Sequence, residues 1–352
     1  MSPPWMLYGA NGYTGELIAR EAVARGLKPV LAGRSKQKIT RLAAELNCPS
    51  AVFDLEDHTA LVSTLTQVAA VLHCAGPFSS TAASMMQGCL ATHVHYLDIT
   101  GEIEVFELAA SVHDKAHRAG VVLCPGVGFD VVPTDCVAAR LKEALPDATH
   151  LALGFDSRAG FSKGTAKTAV ESAGRGSCVR IDGNLVTERL GSRTRRIDFG
   201  AGEKLAVSIP WGDVSTAYYS TGIKNIEVYT ASSQKAVDSL RRANVLRPLL
   251  RQRWIRELAK FSAQRSATPP DKTQRENNPS YIWGEARNAA GEVKTARLRT
   301  ANGYSLTVNS ALAILDEVLK RACTPGFTTP SSLVGADFVS TLPGSSTIRI
   351  DP

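Results

Sequence analysis

Through residue 125 the chain alternates short apolar runs with stretches whose apolar positions recur at helical spacing. Runs at 5–9, 29–33, 50–54, 69–74, 94–98 and 121–124 read as strands. Between them, 13–25, 35–46, 57–66, 79–92 and 102–119 read as amphipathic helices. This alternation predicts a parallel sheet wrapped by helices, an α/β fold of the Rossmann-type doubly wound kind, with ligands beyond the strand C-termini. After residue 148 the pattern changes. Strands are expected at 150–156, 178–189, 195–209, 215–230, 281–288 and 293–301, with Asp182-Gly183-Asn184 as a hairpin turn. Helices are expected at 162–174, 233–262 and 304–321, and Pro248 either starts a new helix or kinks one. Residues 264–280 read as a surface loop. The expected organisation is a nucleotide-binding domain at 1–148, an α+β domain on a mostly antiparallel sheet at 149–302, and a C-terminal helix and tail at 303–352 packing back on the first domain.

Composition narrows the class. A chain of 352 residues with 44% hydrophobic and 21% charged content suits two ordinary globular domains. Seven cysteines without a C-x-x-C pair read as reduced thiols, and no run is long and apolar enough to span a bilayer, so a cytoplasmic setting is expected. The net charge of +7 is partly local, in Arg189, Arg193, Arg195 and Arg196 and in a basic stretch over 241–260. Such patches suit an anionic substrate, a carrier protein or a peripheral membrane contact, or are solvated faces. No recognition motif accompanies them, which argues against nucleic acid. An open sheet face in the second domain would favour a homodimer.

The first strand runs into Gly9-Ala-Asn-Gly12-Tyr-Thr-Gly15 and a helix. Gly9 permits a tight turn, Gly12 a close approach of backbone to phosphate, and Gly15 close helix–strand packing. The helix N-terminus then faces the negative charge of a dinucleotide diphosphate. The second strand ends in Arg34-Ser35 where a carboxylate would bond the ribose of NAD, and an arginine there accepts the 2′-phosphate of NADP. The cofactor expected is NADP(H).

Several blocks carry a family resemblance. The glycine turn, Gly33-Arg34-Ser35, Ala75-Gly76-Pro77-Phe78, Tyr96-Leu-Asp98-Ile-Thr-Gly101-Glu102 and Gly128-Phe129-Asp130-Val-Val-Pro133-Thr-Asp135 together resemble the saccharopine dehydrogenase-like oxidoreductases. Ser162-Lys163-Gly164-Thr165, Ile209-Pro-Trp211-Gly-Asp213 and Ser220-Thr-Gly222-Ile-Lys-Asn225 resemble their trans-acting enoyl reductase branch. The resemblance implies that Gly9, Asn11, Gly12, Tyr13, Thr14 and Gly15 cradle the diphosphate and that Arg34 and Ser35 take the 2′-phosphate. Asp54 and Leu55 would border the adenine, and Gly76, Pro77 and Phe78 the nicotinamide ribose. It further implies an oxidoreductase that reduces an activated C=C bond in a biosynthetic acyl intermediate. A C=N reductase and a non-catalytic NADP(H) sensor are the alternatives.

In that chemistry an enolate forms and must be hydrogen-bonded and protonated. Tyr96 and Asp98, at the end of the fifth strand, are the catalytic candidates; packing under the loop is the other reading of Tyr96. Glu102 reads as a helix cap. Asp130, Lys163 and Thr165 are candidates for substrate binding, against turn and capping roles. Cys74 and Cys124 lack a cationic neighbour and read as packing residues. His93 and His95, and His113 and His117, lack the company of a metal site, so no metal is expected. No tyrosine has lysine four residues on, which excludes short-chain dehydrogenase catalysis.

Overall fold

The computed structural model describes residues 4–157, 176–200, 202–250, 273, 277–320 and 322–351. The first elements are β1 (Trp5–Tyr8), α1 (Tyr13–Ala24), β2 (Val30–Gly33), α2 (Lys36–Leu46), β3 (Ser50–Val52), α3 (His58–Leu65) and β4 (Ala70–His73). They continue with α4 (Phe78–Thr92), β5 (His95–Asp98), α5 (Ile103–Ser111), α6 (His113–Ala119) and β6 (Val122–Cys124). Next come α7 (Val132–Ala144), β7 (His150–Ser157), β8 (Ser177–Ile181), β9 (Asn184–Glu188), β10 (Thr194–Asp198) and β11 (Glu203–Ser208). Then follow α8 (Asp213–Thr221), β12 (Asn225–Ala231), α9 (Gln234–Leu250), β13 (Ser280–Arg287) and β14 (Val293–Thr300). The last are α10 (Gly303–Lys320), β15 (Gly326–Phe327), α11 (Pro330–Val334), α12 (Phe338–Thr341) and β16 (Arg349–Asp351).

The chain forms two compact units, one of residues 1–129 and 307–334, the other of 130–306 and 335–352. The first carries a seven-stranded parallel sheet in the order β15-β6-β5-β4-β1-β2-β3. The order in which successive strands are added reverses between β1 and β4, the switch point at which doubly wound folds bind ligands. Both faces are covered, so β1, β4 and β6 are buried along their whole length. Met6, Leu61, Val71, Met85, Tyr96 and Leu123 belong to the core between sheet and helices.

The second unit is built on a mostly antiparallel sheet, in the order β10-β11-β12-β7-β13-β14-β16, with β8 and β9 attached to β12. Among the described residues, only the β7–β12 pair in it is parallel. Helix α7 packs on β13 and β14, and a Cβ at Gly284 of β13 would lie 2.6 Å from Val137 of that helix. Glycine is what allows this approach. The turn between β8 and β9 puts Asp182 at φ 48° and Gly183 at φ 84°, the left-handed pair a two-residue hairpin needs.

Four expectations are corrected. The unit boundary falls after Phe129, because α7 buries its apolar face against the second sheet. The tail divides: β15 adds to the first sheet, but β16 pairs antiparallel with β14. Residues 215–221, expected as strand, are helix α8, whose buried stripe is Val214, Ala217 and Thr221 and whose end is set by Gly222 at φ 72°. The stretch 102–119 is two helices meeting at Val112. The helix expected at 162–174 lies outside the described residues. Among the described residues no helix is long and apolar enough to cross a membrane.

One buried group gives the first unit a pH signature. His73, on β4, is fully buried between the rings of Tyr8, Phe78 and Tyr96. Thr81 Oγ1 donates to the Ala75 carbonyl (2.8 Å), so His73 Nε2 must donate to Thr81 Oγ1 (2.9 Å). Nδ1 is then a bare acceptor with no partner. A second proton would sit in a dry, acceptor-free place, and burial pushes the imidazole down to about 3. The unfolded chain binds that proton near pH 6.5, so His73's share of stability is present above that pH and is lost as pH falls toward 3. In urea titrations, the stability difference between the native chain and His73→Leu should therefore shrink on acidification, by up to about 1.4 kcal/mol per pH unit. A difference constant from pH 7 to pH 4 would contradict this environment for His73.

Candidate functional site

The site is built at the C-terminal edge of the first sheet. Gly9 leaves β1 at φ 84°, and a Cβ there would lie 2.7 Å from the Ala75 amide, so the turns after β1 and β4 are in close contact. A Cβ at Gly15 would strike the Gly9 carbonyl at 2.3 Å, which seats α1 against the turn. Gly12 differs. It is exposed, and a Cβ there would meet only the Gly9 carbonyl, at 3.3 Å. Its bareness serves something outside the protein. Gly12 is also the N-cap of α1, and no side chain caps that helix. A bare turn and an uncapped N-terminus fit a diphosphate.

Asn11 closes the cradle from the side, since a side chain at Gly33 would come within 3.0 Å of its Oδ1. Tyr13 and Thr14 open α1 and are half-buried. Arg34 is exposed at the end of β2, and Ser35 is the N-cap of α2, again without a side-chain cap bond. A second helix N-terminus beside an available guanidinium fits a phosphate monoester. Asp54 is exposed and accepts from the Glu56 amide (3.1 Å), shaping the turn after β3, and Leu55 is buried below it. Tyr8 lies under this edge and donates to the Phe53 carbonyl (3.2 Å); burial and the Asp54 charge push its phenol up to about 12. These residues would hold the diphosphate, the 2′-phosphate and the adenosine side of NADP(H).

At the other end, Gly76 is exposed while Pro77 and Phe78 are buried. Here α4 begins, and its N-terminus is already occupied. Glu102 accepts from the amides of Phe78 and Ser79, both at 2.8 Å. Glu102 is indeed a cap, but of α4, across the edge; its own helix α5 has no side-chain cap bond.

Tyr96 and Asp98 require a correction. Both are 0% exposed. The Tyr96 hydroxyl donates to Asp98 Oδ2 at 2.5 Å, and Asp98 Oδ1 accepts from the amides of Thr100 and Gly126, each at 2.9 Å. Burial pushes the Asp98 carboxyl up to about 6 against these three bonds, and burial with the Asp98 charge raises the Tyr96 phenol. Neither side chain is at a surface where it could touch substrate. The pair fastens the loop after β5 to the loop after β6, and both are positioning residues.

The loop after β6 is held from its far side too. The Phe129 amide donates to Thr307 Oγ1 (2.9 Å), and Ser310 Oγ donates to the Val127 carbonyl (2.7 Å). A Cβ at Gly128 would lie 2.9 Å from Thr307. That glycine therefore makes room for α10 rather than for a ligand. Asp130 is half-buried at the start of the second unit, and Lys163 and Thr165 lie outside the described residues.

Other expected chemistry resolves into structure. Burial raises the Cys74 thiol, which suits packing. His95 Nδ1 accepts from the Val122 amide (3.0 Å) and His113 Nδ1 from the Phe327 amide (3.1 Å), so both rings join chain segments. Among the described residues no group of three or more His, Cys, Asp or Glu is arranged for a metal ion. The basic cluster at 189–196 is largely neutralised within its own sheet. Arg193 pairs with Glu188 and Glu227, Arg195 with Glu285 while lying 4.8 Å above the Trp283 ring, and Arg196 with Glu203. In α9, Arg241 is tied to the Gly191 carbonyl (3.0 Å), and the basic stretch from 251 onward is outside the described residues.

The chain is similar to several known proteins. Residues 5–124 match the family model of the saccharopine dehydrogenase NADP binding domain. The "Probable mitochondrial saccharopine dehydrogenase-like oxidoreductase" of Arabidopsis thaliana is 29% identical over 189 residues, 47% of this chain and 42% of the relative. The saccharopine dehydrogenase-like oxidoreductase of Homo sapiens is 27% identical over 150 residues, 37% of this chain and 35% of the relative. The chain thus spans less than half the length of the curated relatives it matches. Apo saccharopine dehydrogenase (L-Glu forming) from Saccharomyces cerevisiae superposes over 99% of both chains with a TM-score of 0.66 at 11% identity, which shows a common fold. Residues 5–124 are therefore similar to the NADP binding domain of saccharopine dehydrogenase, which supports NADP(H) as the cofactor, and the chain shares the fold of a solved saccharopine dehydrogenase over 99% of its length.

Proposed function

We propose that this chain is an NADPH-dependent oxidoreductase of the cytoplasm that reduces the activated C=C bond of an enoyl (thio)ester or a related biosynthetic intermediate. The observation that carries the reductase reading is the bare, uncapped turn at Gly12 with exposed Arg34 at the end of the neighbouring strand. When bound there, NADPH supplies a hydride for an electron-poor carbon. The chain's own share is orientation. Glu102 fixes the start of α4, and Asp98 fixes the loops after β5 and β6, so the edge facing the nicotinamide end is rigid.

The choice of C=C rests on the blocks around Lys163, Asp213 and Lys224, which resemble the trans-acting enoyl reductases. Delivery of the acyl group on a carrier protein, met by the basic stretch 241–260, belongs to the same proposal, as does a homodimer through the second sheet. A second reading, reduction of a C=N bond, is favoured by the full-length likeness to a saccharopine dehydrogenase.

Mixing NADPH with enoyl thioesters of several chain lengths should bleach the nicotinamide absorbance. Bleaching only with keto acid and amine mixtures would select the C=N reading, and binding without any turnover would leave a sensor. Independently, Arg34→Glu should weaken NADPH binding by about tenfold or more, the loss of one charge-assisted phosphate contact, while leaving NADH binding nearly unchanged. Calorimetry with both nucleotides checks this, and equal losses for the two would move the 2′-phosphate away from Arg34.

A further inference from the structure

Four of the chain's seven histidines, His93, His95, His113 and His117, gather at one edge of the first sheet, where β5, β6 and β15 meet α6. Two of them take the place of backbone carbonyls. Strand β15 is tied to β6 by the Gly326 amide on the Val121 carbonyl (2.8 Å) and the Thr328 amide on the Leu123 carbonyl (3.0 Å). The Phe327 amide between them turns to the other side, which an edge strand ordinarily leaves to solvent. There His113 Nδ1 accepts it at 3.1 Å. One strand further in, the Val122 amide of β6 donates to His95 Nδ1 at 3.0 Å. The fit around His113 is close. A Cβ at Gly326 would lie 2.6 Å from its Cε1 and 2.9 Å from its Nδ1, so glycine is what lets β15 lie against the ring.

An imidazole nitrogen that accepts from an amide carries no proton. His95 and His113 are therefore neutral, each with its proton on Nε2. A second proton goes to Nδ1 and sets N–H against N–H, so charging either ring breaks the bond it makes. His93 is the contrast. Its Nδ1 lies 2.8 Å from the Ala119 carbonyl, which can only accept, so that ring donates and keeps its bond when charged. His117 stacks on His113 with ring centroids 6.4 Å apart, and protons on both would repel.

Helix α6 packs against α4, α5, β6 and β15. Of these, α4, β6 and β15 carry no charged side chain, only the thiols of Cys89 and Cys124. Glu104 and Glu107 on α5 and Asp114 on α6 are nearly balanced by Lys115 and Arg118 of α6. Around His95 the titratable groups are His73 on β4 and Tyr96 and Asp98 on its own strand. Burial holds the His95 imidazole below its usual value. His113 is exposed and meets solvent protons directly, whereas His95 is half-buried.

We propose that His113 and His95 form an acid-operated latch on this edge: as neutral acceptors they hold β15 and β6 in the sheet, and protonation lets β15 go first and loosens β6 after it. The latch holds above the pH at which a free imidazole takes its second proton, about 6.5, and its grip is lost as pH falls. Strand β6 runs into the loop Gly126–Phe129, so this end of the sheet becomes sensitive to acid. The inference goes beyond the reductase reading and stands without it.

Hydrogen–deuterium exchange on the full chain, with rates normalised to the intrinsic rate at each pH, tests the latch. The Phe327 amide should be about tenfold or more less protected at pH 5.5 than at pH 7.5. The Val122 amide should follow only at lower pH, and the Ile18 amide in α1 should keep its protection. His113→Asn offers an Oδ1 acceptor near the position of Nδ1 that does not titrate, and should keep Phe327 protected at both pH values. His113→Leu offers no acceptor and should leave Phe327 poorly protected at both. Equal protection of Phe327 in the native chain at the two pH values overturns the latch. So does an acid loss that persists in His113→Asn, or His113→Leu as protected as the native chain at pH 7.5. Simultaneous loss at Ile18 would mean unfolding of the whole unit and overturns it as well.

Discussion

The buried carboxylate of Asp98 is the constraint on which the cofactor edge depends. A parallel sheet ends in loops that have no ladder of their own, and the three loops at the reacting end would move independently unless something joined them. Asp98 binds the amides of Thr100 and Gly126 and the Tyr96 hydroxyl, and its own carbonyl accepts from Val127 (2.7 Å). Glu102, four residues on, reaches the start of α4. Two acids on one short segment thus fasten the loops after β4, β5 and β6 to one another. Hydrogen bonds to a charged acceptor contribute about 1.5–3 kcal/mol each, so the network offsets the cost of burying Asp98.

The same residues show what a sequence can and cannot disclose. The glycine turn was legible because Gly9 and Gly15 answer to steric demands within a few residues, and Gly12 to a ligand whose geometry dictates the spacing. Strand positions in the first unit were legible because doubly covered parallel strands are apolar throughout. Tyr96 and Asp98 were placed correctly at the end of β5 but misjudged in role. Their positions say nothing of whether a side chain meets solvent or an amide from Gly126, a residue 28 positions away. Residues 215–221 misled because Tyr218, Tyr219 and Thr221 favour extended chain, whereas the helix is selected by its burial against α7.

Charge was the least legible property. Arg193 and Arg195 read as a basic patch, yet their partners Glu227 and Glu285 lie on strands far along the chain. Register, not local sequence, creates those pairs. Each is partly exposed and contributes little to stability. Their effect is on specificity of the sheet face, where Arg195 also covers the Trp283 ring with its guanidinium.

The edge strand β15 carries a consequence for how the molecule is made. It hydrogen-bonds in parallel to β6 through Gly326 and Phe327, some two hundred positions after that strand leaves the ribosome. Until then the outer rim of the nucleotide-binding sheet presents unsatisfied amides to anything extended nearby. During synthesis every strand of the second sheet but β16 emerges before the first sheet can be sealed, so the window for mispairing is set by translation time. A chain interrupted ahead of residue 326 would keep that adhesive border permanently.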